Sequence, residues 1–113
     1  GAMGAHLLKD LLPPEDLASF ETAVRYQMYH ALALLILGLT GKVDSKLVST
    51  LFIIGICLFS GSIYLLSTRS LLGLSSGEGV ISFLGPITPL GGMILISAWA
   101  VLIFKFLRHK THL

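Results

Sequence analysis

The chain has 113 residues, of which 54% are hydrophobic and 12% charged, with a formal net charge of +2. The charged share is about half that of soluble domains, and the length leaves room for one small domain and no second. A lone cysteine, Cys57, excludes an internal disulfide framework, and no basic cluster interleaved with aromatics points to nucleic acid.

Residues 1–12 mix small and apolar side chains with His6, Lys9 and Asp10, and the opening Gly-Ala-Met-Gly has the look of a cloning scar. Pro13-Pro14-Glu15-Asp16 reads as a helix start. Proline is pre-organised for the first turn, and acidic side chains there complement the positive end of the helix dipole. The helix is expected to run from Pro14 to Leu39, with Gly38 and Gly41 as stop signals. Such a helix is about 39 Å long, so its first turns stand at or outside a membrane interface.

Gly41 to Lys46 is a short polar connection, and a second helix is expected over 45–66, within the 22-residue uncharged run Leu47–Thr68. Its Gly55, Ser60, Gly61 and Ser62 are residues that let membrane helices approach closely. Ser67 to Thr88 reads as a longer Gly/Ser-rich connection. Thr88 is then the expected N-cap and Pro89 the first residue of a third helix over 89–107, inside the uncharged run Val80–Phe104. Gly91 and Gly92 are further packing positions, and Trp99 lies too deep for an interface anchor, which points to packing on a neighbouring helix. A hydrocarbon core of about 30 Å takes roughly 20 apolar helical residues. The reading is an all-α integral membrane bundle, one transmembrane domain over 1–113 with spanning helices at about 14–39, 45–66 and 89–107.

Three spans put the Lys42/Lys46 loop and the C-terminal tail on one side, with Lys42, Lys46, Lys105, Arg108 and Lys110 against Asp44. The other side carries Lys9, Arg25 and Arg69 with Asp10, Glu15, Asp16, Glu21 and Glu78. The positive-inside bias favours a C-terminus on the cytoplasmic or matrix side. A bacterial inner membrane is the first reading and a mitochondrial inner membrane the second.

One segment breaks the apolar pattern. Glu21, Arg25 and Tyr29 recur at i,i+4, and Thr22, Tyr26 and His30 form the adjoining stripe. Ionisable groups at depth pair or face the bundle interior. The functional reading makes this face a contact for a partner or an anionic lipid head group, or makes His30 a proton relay. The structural reading makes Glu21–Arg25 an interfacial ion pair and His30 a hydrogen bond within the bundle. His6, His30 and Glu21 lack metal-ligand spacing, so neither metal nor cofactor is expected. Gly85-Pro86-Ile87-Thr88-Pro89-Leu90-Gly91-Gly92 could line a cavity, bind an anion at a helix N-terminus, or form a rigid turn followed by close helix packing, with the turn preferred. Ser60 and Ser62 have no evident base, Cys57 reads as a small buried residue, and no catalytic motif is present.

Phe20 to Leu34, reading Phe-Glu-Thr-Ala-Val-Arg-Tyr-Gln-Met-Tyr-His-Ala-Leu-Ala-Leu, closely resembles the signature of the domain of unknown function 423 family, small membrane proteins of the transmembrane protein 256 type. Gly1-Ala2-Met3-Gly4-Ala5-His6 is similar to that family's Gly-Ala-Phe-Gly-Ala-His element, which favours native sequence over a scar. Gly85-Pro86-Ile87-Thr88-Pro89-Leu90-Gly91-Gly92 with Trp99 resembles its last block. The resemblance implies four helices, of which the first, upstream of the Gly-Ala-His element, is expected to be missing here. It implies no biochemical activity. Small size, small-residue faces and absent catalytic motifs suggest a non-enzymatic accessory subunit or assembly factor of a larger membrane complex, in contact with lipid. The alternative is a small oligomeric transporter or proton-linked carrier using the Glu21–His30 face.

Overall fold

The computed structural model describes residues 6–41, 46–73 and 79–111. Every regular element among them is helical: α1 (Leu8–Leu11), α2 (Pro14–Thr40), α3 (Lys46–Ser67) and α4 (Gly79–Thr111). The Gly-Ala-Met-Gly-Ala opening, Lys42 to Ser45 and Glu78 lie outside the described residues.

The punctuation of α2 follows its sequence. Pro13 is extended at the N-cap, Pro14 opens the helix, and Leu17 N–H closes onto the Pro13 carbonyl at 2.9 Å. At the other end Gly41 takes φ +60°, and its N–H bonds the Leu37 carbonyl at 3.3 Å. A Cβ is disfavoured in that left-handed conformation. Gly41→Ala is therefore expected to cost about 1 kcal/mol, read as a lower unfolding midpoint in detergent; an unchanged midpoint would refute the cap.

The helix expected over 89–107 departs from expectation. It starts at Gly79, ten residues before Pro89, and continues to Thr111, past Leu107. Pro86 and Pro89 lie inside it, and Thr88 is a helix-interior residue whose hydroxyl meets Ser62 at 2.5 Å, not an N-cap. Each proline removes one N–H donor, but its fixed φ is helical, and membrane helices tolerate the loss where neighbours re-satisfy the backbone. The Gly85–Gly92 block is accordingly helix rather than turn, and the connection after α3 shrinks to 68–78. The second helix matches its expected bounds within one residue.

The α3 helix is the middle of a thin layer, 17 Å in its shortest extent, packing against α2 on one flank and α4 on the other; α2 and α4 make no close backbone approach to each other among the described residues. Val48 and Phe52 of α3 and Leu95 and Ala98 of α4 form the buried core. Two glycines set the α3–α4 distance. A Cβ on Gly91 would stand 2.4 Å from the Phe59 backbone nitrogen, and one on Gly55 would stand 2.7 Å from Leu95 Cδ2. Gly92 faces the Phe59 ring at an ordinary 3.7 Å, whereas nothing lies within 4 Å of the corresponding position on Gly61.

Ser60 Oγ donates to the Ala23 carbonyl at 2.9 Å, joining α3 to α2 where Ala23 is fully buried. Large apolar side chains cover the outside: Leu39 is 77% exposed, and Phe83 and Ile96 are each 71% exposed. Apolar exposure on this scale needs lipid or protein against it. Lys46–Ser67 and Ile81–Arg108 are each long and apolar enough to cross a membrane.

Candidate functional site: the polar face of α2

The residues from Glu21 to His30 do not converge on one point. Glu21 is exposed, and Arg25 does not pair with it; the guanidinium Nη2 donates to Thr22 Oγ1 at 3.2 Å, and Thr22 donates to the Ala18 carbonyl at 3.0 Å. Helical side chains lean toward the N-terminus, and a long cation snorkels the same way, which carries the guanidinium one turn back to Thr22. An exposed i,i+4 ion pair gains only a few tenths of a kcal/mol, too little to override that. The ion pair at this end instead joins Arg69 Nη1 to Asp16 Oδ1 at 3.2 Å and ties the end of α3 to the first turn of α2.

Tyr26 and Tyr29 are both exposed, and Tyr26 also packs on the Phe59 ring with centroids 4.9 Å apart. One helical position from Tyr26, Gln27 accepts a hydrogen bond from the Tyr64 hydroxyl. Asp16–Arg69 and Gln27–Tyr64 were not visible in the sequence, because each spans helices whose register nothing in one chain fixes.

His30 is the centre of the face. It is 5% exposed, with Nδ1 2.7 Å from its own helix's Tyr26 carbonyl and Nε2 3.1 Å from the Trp99 indole nitrogen. A carbonyl only accepts and an indole N–H only donates, so Nδ1 carries the hydrogen, Nε2 offers its lone pair, and the ring is neutral. The Phe52 ring meets His30 edge-on at 5.3 Å and Trp99 at 5.0 Å. Trp99 thus reaches from α4 across the top of Phe52 to bond α2, the connection that closes the layer where its outer helices have no backbone contact. Both ring nitrogens are engaged within the chain, so a proton relay through His30 would have to break one of these bonds.

Beyond that bridge, toward the C-terminal ends of α2 and α4, the gap between them opens into an apolar cleft of about 470 Å³ lined by Ile36, Leu37, Thr40, Trp99, Leu102, Ile103 and Phe106. No group of three or more His, Cys, Asp or Glu side chains among the described residues is placed to hold a metal ion. Cys57 is exposed rather than buried.

The sequence model of a family described as "Protein of unknown function (DUF423)" matches residues 1–92. A UPF0382 membrane protein of Staphylococcus haemolyticus is 38% identical over 112 residues, spanning 94% of this chain and 84% of the relative. A UPF0382 membrane protein of Bacillus subtilis is 37% identical over 114 residues, spanning 96% and 85%. One from Schizosaccharomyces pombe is 39% identical over 107 residues, spanning 91% and 85%. No solved structure matches the chain.

Proposed function

The chain belongs to the DUF423 family, whose curated relatives are named membrane proteins, and from that premise we propose that it is an accessory or assembly subunit of a larger membrane complex. The observation that carries this reading is the cleft between α2 and α4. It is apolar, it lies on a layer only one helix deep in its middle, and it has the open side that a transmembrane helix of another protein would cover. The polar groups of α2 support the same reading, since His30 and Gln27 are occupied in holding the layer together.

In this reading α2 crosses with α3 and α4, and the basic end with Lys105 and Arg108 faces the cytoplasm of a bacterium, or the matrix in a mitochondrial setting. The carrier alternative has less behind it, because its central proton-binding residue is hydrogen-bonded at both nitrogens.

The test is native purification from membranes in mild detergent, with the intact assembly weighed. A stoichiometric complex with larger membrane proteins is expected. A photo-reactive residue at Ile36 or Phe106 should cross-link to that same partner, whereas one at exposed Ile53 on α3 should not. Recovery of monomer or homo-oligomer alone would end this reading.

A further inference from the structure

At the opposite end of the α2–α4 gap, beside the Asp16–Arg69 pair, lies a second recess of about 440 Å³. Ser19 and Thr22 of α2, Ile63 of α3, and Gly85 and Thr88 of α4 are among the residues that line it. The α3 helix ends at Ser67, one turn beyond Ile63, so the recess sits where the hydrocarbon gives way to head groups.

Its polar atoms divide by wall. On the α4 side, Thr88 Oγ1 shares a 2.5 Å hydrogen bond with the Ser62 hydroxyl of α3, which also lies 3.0 Å from the Phe59 carbonyl; whichever hydroxyl donates, Thr88 Oγ1 keeps a lone pair. The Thr88 oxygen is left as an acceptor. The Gly85 carbonyl lacks its helical donor, because position 89 is proline and has no N–H. That wall therefore presents two acceptor oxygens. The α2 wall is different. Arg25 stands at the rim of the recess rather than in its lining: Nη2 donates to Thr22 Oγ1 on that wall at 3.2 Å and the guanidinium keeps further donors, with the Ser19 hydroxyl one turn away.

A ligand that satisfies both walls carries an anion toward Arg25 and an N–H-bearing cation toward Gly85 and Thr88. The wider charge agrees: Lys9, Arg25 and Arg69 stand against Asp10, Glu15, Asp16 and Glu21 at this end, which does not gather net anions. We propose that this recess binds the head group of an ethanolamine phospholipid, with its phosphate on Arg25 and Ser19 and its ammonium on the Gly85 carbonyl and Thr88 hydroxyl. A choline head group has the same charges but no N–H to donate, and a glycerol head group lacks the cation.

The experiment offers the purified full chain equal amounts of phosphatidylethanolamine, phosphatidylcholine and phosphatidylglycerol and counts retained lipid by native mass spectrometry. Ethanolamine lipid should be retained about tenfold over either competitor, the scale of one charge-assisted hydrogen bond. Arg25→Gln should lower that retention about tenfold. Pro89→Ala restores an N–H to the Gly85 carbonyl and favours the helix, so this variant folds; it should bring ethanolamine and choline lipids to within about twofold of each other. Soluble glycerophosphoethanolamine in excess should leave the lipid in place, and displacement would assign the site to a free head-group compound instead. Equal retention of ethanolamine and choline lipids by the wild type, preference for the glycerol lipid, no retained lipid, or selectivity surviving Pro89→Ala would each overturn the proposal. The outcome is independent of whether a protein partner co-purifies.

Discussion

Gly91→Ala is expected to lower the stability of the bundle by about 3 kcal/mol, a large effect for one methyl group. The added carbon would stand 2.4 Å from Phe59 N, and 2.9 Å from both Leu58 C and Phe59 Cα. All three are backbone atoms of α3, so no rotamer change can relieve the overlap and the two helices must separate. Their separation would loosen the Leu95 and Ala98 contacts on Val48 and Phe52, the only fully packed core among the described residues. Helix propensity pulls the other way by about 1 kcal/mol, which is too small to compensate.

Two companions calibrate the prediction. Gly55→Ala meets Leu95 Cδ2 at 2.7 Å, the movable end of a side chain, and should cost about 1 kcal/mol. Gly61→Ala meets nothing within 4 Å and should be neutral or slightly stabilising. Unfolding midpoints in mixed micelles give the order, and equal losses at Gly91 and Gly61 would refute close packing as the role of Gly91.

This contrast marks what the sequence could and could not tell. Small residues on α3 and α4 identified a packing function, because only such residues permit close approach in lipid. Which of Gly55, Gly61, Gly91 and Gly92 lies in the seam depends on the rotation of each helix. Uncharged runs located α3 and the middle of α4 for the same kind of reason, since the bilayer sets a length and a composition. They failed at the start of α4, where Thr88-Pro89 has the form of a helix opening. Inside a layer of helices the proline's lost bond leaves one carbonyl without a donor, and the Ser62–Thr88 contact keeps the chain helical through it. The i,i+4 rule likewise grouped Glu21, Arg25 and Tyr29 as one stripe, but Arg25 bonds Thr22 instead, and the groups of α2 that do bond other helices, Asp16, Gln27 and His30, find partners 37 to 69 positions away.

His30→Ala should destabilise the chain by about 3 kcal/mol, through the cavity left by the ring and the loss of the acceptor for Trp99. His30→Phe separates the two causes. It keeps the ring volume among Tyr26, Phe52 and Trp99 but offers no lone pair, and should cost about 1 to 2 kcal/mol. Trp99→Phe removes the donor from the other side at a similar cost. If the bond is the shared cause, the double variant costs less than the sum, with a coupling of about 0.6 to 1.7 kcal/mol, the range for hydrogen bonds between membrane helices. Trp99 is the single tryptophan, so its emission reports the same bond directly: His30→Phe should shift the spectrum, while Tyr29→Phe, on the exposed side of α2, should not. Strict additivity with an unmoved spectrum would show that α2 and α4 are held without this bridge. The same variants bear on function, because a residue that serves by accepting one indole hydrogen can be lost in stages of stability, whereas a proton carrier would lose its flux at once in the well-folded phenylalanine variant.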